Sequence, residues 1–121
     1  MDVKLTAEQH RRIEEIQGYL NVVSHLKRLV AELESNRAAS SRVIQNISET
    51  LARELAQLRQ RALTSNVGTV ADQAGAMSVM AGRGGGLNMK IRGLGDGLSS
   101  LTMQLEQALK QAATPESKRQ A

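Results

Sequence analysis

Apolar residues between Thr6 and Leu63 recur at alternating steps of three and four residues, which is the spacing of a stripe along one helix. The first part of the stripe contains Ile13, Ile16, Leu20, Val23 and Val30, and the same register continues with Ile44, Leu51, Leu55, Leu58 and Ala62. Heptad spacing of this kind is typical of helices that pack against other helices. The sequence therefore predicts an all-α protein organised around coiled-coil heptads.

The middle of this stripe is polar. Lys27, Glu34 and Arg37 fall on heptad positions that apolar side chains normally occupy. Polar residues at such positions reduce stability, but they select the partner and the register in which two helices pair. We therefore predict that these three residues set the register of pairing.

Two structures fit the segment 1–63. In the first, one continuous helix of nearly sixty residues spans roughly 90 Å at 1.5 Å per residue. In the second, the chain turns within residues 35–41, where Ser35 and Asn36 end one helix and Ser40 or Ser41 caps the next. This stretch contains no glycine or proline, and its arginine and two alanines favour helix. We favour one long coiled-coil helix, with the break as the alternative.

Two short motifs indicate where helices begin. Thr6-Ala7-Glu8-Gln9 is a capping box, in which the hydroxyl of Thr6 accepts from the amide of Gln9 while the Gln9 side chain returns to the amide of Thr6. Thr69-Val70-Ala71-Asp72 has the related form of a threonine followed three residues later by an acid. We predict a helix start at each motif.

Residues 64–113 are predicted to form a second region, made of a connector, a short helix, a turn and a C-terminal helix. The short helix carries a narrow stripe of small and apolar residues, namely Val70, Ala74, Met77 and Ala81. It is too short to be stable in water unless it packs against another element. Residues 82–86 contain four glycines, each of which costs about 1 kcal/mol in a helix relative to alanine, so a turn is predicted there.

The C-terminal helix has a regular stripe despite the glycines inside it. The stripe contains Leu87, Ile91, Leu94, Leu98, Leu101, Leu105, Ala108 and Ala112. Gly93 and Gly97 are four residues apart and would let a neighbouring backbone approach closely in a packed bundle; alternatively, Asp96 caps a shorter helix that begins near Gly97. Pro115 ends the element, because the residue before a proline avoids helical angles. Residues 114–121 are predicted to be a disordered tail.

The composition favours association over an isolated compact monomer. The chain of 121 residues has no Phe, no Trp and one Tyr, and aromatic side chains contribute much of the buried area in compact cores. An elongated helical hairpin or bundle of three or four helices, completed by a second chain, would cover both stripes. The predicted oligomer or partner interface consists of Ile13, Ile16, Leu20, Val23, Val30, Ile44, Leu51, Leu55, Leu58, Leu87, Ile91, Leu94, Leu98, Leu101 and Leu105.

The sequence contains no pattern typical of an enzyme. Without cysteine there is no thiolate metal ligand, disulfide or cysteine nucleophile, and His10 and His25 lack metal-ligand spacing. The glycines of 82–86 lack both the final glycine of a dinucleotide fingerprint and the Gly-Lys-Ser/Thr of a phosphate loop. We therefore predict no catalytic residue, no cofactor and no metal.

Positive charge is unevenly distributed along the chain. The formal net charge is +4, and basic residues accumulate on the helix between Arg37 and Arg61. Such a surface attracts nucleic acid, acidic proteins or anionic membranes. Near the glycine-rich turn, Arg83, Lys90 and Arg92 are candidates for binding an anion together with exposed amides at a helix start.

These observations predict a non-enzymatic helical assembly or adaptor protein that acts by coiled-coil homo- or hetero-oligomerisation within a larger complex. The alternative is an oligomeric nucleic-acid-binding protein that uses the Arg37 to Arg61 face and the Arg83 to Arg92 turn. The start of the chain shows no secretory signal, and uncharged runs reach about ten residues where a membrane-spanning helix needs about 20. We expect a cytoplasmic protein with protein partners and no small-molecule substrate.

Overall fold

A computed structural model describes residues 5–65, 67–83 and 86–115, and within these ranges all regular structure is helical. The four helices are α1 (Ala7–Ser35), α2 (Ser41–Thr64), α3 (Gly68–Gly82) and α4 (Leu87–Ala112). Asn66, Gly84, Gly85 and residues 116–121 lie outside the described residues, so the predicted tail and the centre of the glycine turn are not among them. The prediction of an all-helical bundle is confirmed.

The helices form an antiparallel four-helix bundle within one chain. Both α1 and α3 pack against α2 and α4, so α1 lies diagonally opposite α3. The direction of α2 is opposite to that of α1, because Tyr19 contacts Arg61 while the later residue His25 contacts the earlier Glu54. An up-down-up-down order with short connections is common in such bundles.

The first two helices are separated by a turn, so the favoured continuous helix is wrong and the alternative break is correct. α1 ends at Ser35, where both the backbone N–H and the side-chain amide of Asn36 donate to the carbonyl of Glu32, at 3.1 and 2.7 Å. The hydroxyl of Ser40 then accepts from the amide of Val43 at 3.4 Å and caps α2. Turning back allows α1 and α2 to cover each other's apolar stripes, which a straight rod would leave exposed.

The register of α1 differs from the predicted one by a single residue on one of its two core lines. Ile16, Val23 and Val30 are buried as expected from their spacing, but the accompanying line is Tyr19, Leu26 and Leu33. Lys27 and Glu34 are one position further along and are exposed. The core line of α1 is therefore apolar through Leu33, and the polar centre expected from the heptads is absent from it.

The other three helices bury the stripes that their spacing indicates, with one difference at a helix start. α3 begins at Gly68 after the N-cap Val67 and has no side-chain cap, so the prediction of a second capping box at Thr69 is wrong. α4 runs unbroken through Gly93 and Gly97, so Asp96 does not cap a shorter helix. The predicted box at Thr6 and Gln9 is present, with both hydrogen bonds formed at 2.9 and 3.0 Å.

The two ends of the described chain are joined by one side chain. The amide nitrogen of buried Gln9, Nε2, donates to the backbone carbonyl of Thr114 at 2.8 Å and to that of Ala112 at 3.5 Å. Gln9 thus caps the first helix and also links its start to the end of the last.

A single chain supplies all four helices of the bundle, whereas the composition had suggested that a second copy would be required.

Candidate functional site

The apolar residues predicted as a partner interface lie inside the bundle. Ile16, Val23, Val30, Leu51, Leu55, Leu58, Ile91, Leu94, Leu98, Leu101 and Leu105 are buried, while Ile13, Leu20, Ile44 and Leu87 are partly buried against this core. These side chains already pack against one another within one chain. A partner that binds the closed bundle must therefore contact its outer surface.

The basic face proposed between Arg37 and Arg61 is divided among several directions. The guanidinium of Arg61 lies over the ring of Tyr19 on α1, with its central carbon 4.9 Å from the ring centre. Arg59 extends in the other direction, towards α3. Its Cδ would be 2.9 Å from a Cβ atom placed on Gly75 of that helix. Two of the arginines thus pack along helix contacts, while Arg42 and Arg53 are exposed on α2 and Arg37 is exposed in the turn before it.

A histidine and a glutamate connect α1 and α2 at the surface. Nε2 of His25 lies 3.1 Å from both carboxylate oxygens of Glu54, beside a shallow cavity of about 430 Å³ that also borders Arg61. Within the described residues, no group of three or more potential metal-ligating side chains comes together. The pair links two helices, and it lacks the further ligands that a metal site requires.

The outer surface of α3 and α4 carries large apolar side chains. Val79 is 59 % exposed and Met80 37 % exposed on α3, and Met89 and Met103 on α4 are 81 % and 73 % exposed. We call these four residues the methionine face. Met89 and Met103 are two heptads apart, so they share one side of α4 and are separated by about 21 Å along its axis.

Two glycines on α4 make room for methionine side chains of α3. A Cβ atom on Gly93 would lie 3.1 Å from Cε of Met80, and one on Gly97 would be 3.0 Å from Cγ of Met77. The space over both glycines is therefore filled by methionine side chains of α3, and the predicted close approach of a neighbouring backbone is not what the glycines accommodate. Met80 lies over Gly93, which is one turn from Met89.

Charge is unevenly distributed on this face. Asp72 is the single charged residue in the fifteen residues of α3, whereas on α4 the exposed Asp96 lies seven residues from both Met89 and Met103 and therefore on the same side of the helix. Exposed apolar side chains scattered singly are normal on soluble proteins, but a group on one side of a molecule is typical of an interaction surface. Methionine suits such surfaces because its flexible side chain adapts to different partners. The methionine face is therefore the candidate site for binding another protein.

A second feature is a groove at the end of the bundle where α2 and α4 begin and α3 ends. We call it the end groove; it has a volume of about 450 Å³ and is lined by Ser41, Ile44, Ser48, Ala81, Arg83, Leu87 and Lys90 among others. Ser48 is 6 % exposed, and its Oγ has no hydrogen-bond partner among the described residues.

The three residues predicted to bind an anion separate into two places. Arg83 and Lys90 line the end groove, whereas Arg92 lines a neighbouring cavity with Glu34 and Arg37. Spacing along the sequence indicated that the three cations lie near a helix start. It did not show that α2 would complete the groove with Ser41 and Ser48, because that contact depends on the tertiary arrangement.

No family model, curated protein or solved structure matches the chain. None of the helices, within the part of the chain that the structure describes, combines the length and apolar character needed to cross a membrane.

Proposed function

We propose that this protein is a non-enzymatic adaptor that binds another protein through the methionine face and acts as a subunit of a larger complex. The observation that carries the proposal is the exposure of Val79 on α3 and of Met89 and Met103 on one side of α4. Burying such side chains at an interface yields about 25 cal/mol per Å² of apolar surface removed from water. We also propose that the protein acts in the cytoplasm.

The dimensions of the face suit an amphipathic helix of the partner. The distance of about 21 Å between Met89 and Met103 corresponds to about four helical turns. A helix lying along this surface would place apolar residues against Met89 and Met103, in the manner of known helix-in-groove complexes, and a polar or basic residue opposite the exposed Asp96 between them. Gly93 and Gly97 add no side chain to this surface, and the side chains of Met80 and Met77 lie over them.

The interface proposed here is an outer surface of the bundle, and not the apolar stripes with heptad spacing that were predicted to bind a partner. In the closed bundle the residues of these stripes already have partners, whereas Met89 and Met103 have most of their surface in solvent. Lys27, Glu34 and Arg37 are exposed on or beside α1, so any influence they have on partner choice would act through surface charge. The nucleic-acid alternative gains no support from the contacts of Arg59 and Arg61 with neighbouring helices.

The test compares a face variant with a matched control. The face variant carries Val79→Gln, Met89→Gln and Met103→Gln; the control carries Val43→Gln and Leu63→Gln, which remove exposed apolar side chains from α2. Proteins retained by the tagged unaltered chain in its own cells are identified, purified and titrated against all three chains by calorimetry. We expect the face variant to weaken binding by at least about tenfold, as for the loss of interface anchors.

Equal binding by the face variant and the unaltered chain would contradict the proposal. Sedimentation of the purified chain at micromolar concentration tests a second copy as the partner. A dimer that dissociates in the face variant but not in the control supports the face as the interface, and a dimer that persists in both places the interface elsewhere.

A further inference from the structure

The end groove combines an apolar wall, two cations and a buried hydroxyl that lacks a partner. Ile44, Ala81 and Leu87 supply the apolar wall, and Arg83 and Lys90 supply the positive charge. We propose that this groove binds a small monocarboxylate with an apolar body. The inference is independent of the methionine face, since the end groove is formed by different side chains.

Ser48 provides the first argument, because its hydroxyl differs from the other helical hydroxyls of the chain. Thr50, Thr64 and Thr102 each donate to the carbonyl four residues earlier, at 2.9, 3.0 and 2.8 Å. Ser78 donates across to the carbonyl of Ala52 at 2.8 Å. Ser48 is more than nine-tenths buried in the wall of the groove and makes no such bond among the described residues. A buried hydroxyl without a partner is costly, and a ligand oxygen would accept its hydrogen.

The electrostatics of the start of α4 provide the second argument. The helix has no acidic residue in its first turn, and its N-cap Gly86 provides no capping side chain. Helix starts carry partial positive charge, which Glu8 compensates on α1, whereas α2, α3 and α4 all lack an acidic residue in the first turn. Here Arg83 and Lys90 add further positive charge beside the uncompensated start. A bound anion would relieve this accumulation.

The charge balance of the groove selects the class of anion. Glu49 also lines it, and its carboxylate accepts from the side-chain amide of Gln45 at 3.2 Å. Two cations and one carboxylate leave a single net positive charge, which suits one negative charge better than two. The apolar residues Ile44 and Leu87 would be left uncovered by a small inorganic ion. A carboxylate with an alkyl or aryl body satisfies both conditions.

The test uses the unaltered chain and octanoate as the probe. Displacement of the fluorescent dye anilinonaphthalene sulfonate by octanoate is compared with displacement by octanol and by inorganic phosphate. We expect octanoate to displace the dye at concentrations at least about tenfold lower than either comparator, since octanol lacks the charge and phosphate lacks the apolar body. Equal displacement by octanol or by phosphate would overturn the proposal.

Two pairs of substitutions locate the binding. Arg83→Gln with Lys90→Gln removes both cations of the groove, whereas Arg37→Gln with Arg92→Gln removes two cations from the neighbouring cavity. We expect the first pair to raise the Kd for octanoate by at least about tenfold, and the second by no more than about threefold because distant charges are screened. Equal losses in both pairs would show a non-specific charge effect and overturn the site.

Direct observation of the groove does not depend on any variant. In the unaltered chain, octanoate is expected to shift the methyl resonances of Ile44, Ala81 and Leu87 while leaving that of Met103 unchanged; Met89 is not used as a reference because its side chain lies beside Gly86 at the start of α4. Shifts confined to Met89 and Met103 would place the ligand on the methionine face and overturn the end groove as its site.

Discussion

Arg61 and Tyr19 hold α1 and α2 together through two different contacts. The guanidinium of Arg61 lies over the Tyr19 ring at 4.9 Å, and the hydroxyl of Tyr19 donates to the backbone carbonyl of Arg61 at 3.3 Å. Gly18 makes the first contact possible, because a Cβ atom there would be 2.8 Å from Nη2 of Arg61. The single aromatic residue of the chain is thus fully buried at the α1–α2 contact.

Removing the hydroxyl alone tests one of these two contacts. Tyr19→Phe keeps the ring beneath Arg61 but removes the hydrogen bond to the carbonyl, so we expect the free energy of unfolding to fall by about 1 kcal/mol. Arg61→Met removes the cation and should cost about 0.5–1 kcal/mol. Urea denaturation measures both. Arg53→Met, at an exposed position on the same helix, is the control and should change stability by less than about 0.5 kcal/mol.

Two glycines in α4 should respond in opposite directions to alanine. Nothing lies within 4 Å of a Cβ atom on Gly95, so Gly95→Ala should raise the free energy of unfolding by about 0.5–1 kcal/mol through helix propensity. Gly97→Ala would press against buried Met77 and should lower stability by about 1 kcal/mol. Thermal and urea denaturation of the two variants check the difference. Stabilisation by both would mean that Met77 can move aside freely.

Ser48 and Ser78 form a second matched pair. Ser48→Ala removes a buried hydroxyl that lacks a partner among the described residues, so the free energy of unfolding should rise by about 1 kcal/mol. Ser78→Ala removes the hydrogen bond to the carbonyl of Ala52 and should lower it by about 1 kcal/mol. A loss of stability in Ser48→Ala would indicate that the hydroxyl is bonded in the folded protein, and would weaken the case for the end groove.

Gln9 should be sensitive even to a change that preserves its shape. Gln9→Glu keeps an acceptor for the amide of Thr6, but it replaces the donor that reaches Thr114 with a carboxylate facing backbone carbonyls. We expect a loss of about 1–2 kcal/mol in the free energy of unfolding. Amide hydrogen exchange should accelerate in the last turn of α4 while the first turn of α1 stays protected. Unchanged exchange at both ends would show that the link is not needed.

The methionines should differ in their rate of oxidation by peroxide. Met89 and Met103 are mostly exposed, and Met77 is buried beside Gly97. Susceptibility to oxidation follows exposure, so peptide mass spectrometry should detect sulfoxide at Met89 and Met103 well before Met77. Protection of Met89 and Met103 in the presence of a purified partner would support the methionine face. Equal rates at all three methionines would contradict the burial of Met77.

Local patterns determined much of the fold. The stripes on α2, α3 and α4 follow from helical spacing, and the cap at Thr6 and Gln9 follows from a four-residue motif. On α1 the spacing allowed two lines beside Ile16, Val23 and Val30. The predicted line runs through Leu20 and Lys27, whereas the buried line runs through Tyr19, Leu26 and Leu33 and contains no charged residue. The absence of charge was the signal that could have selected it.

The amino-acid sequence by itself determined that this chain is helical, where most of its helices lie and which stripes they bury, because those properties depend on residues within a few turns of one another. Tertiary structure alone decided that the chain turns at Asn36 and encloses its own stripes. It also decided which side chains stay outside: the methionine face and the end groove exist because four helices meet in one order. Burial is a property of neighbours that are distant in sequence, and no local pattern specifies them.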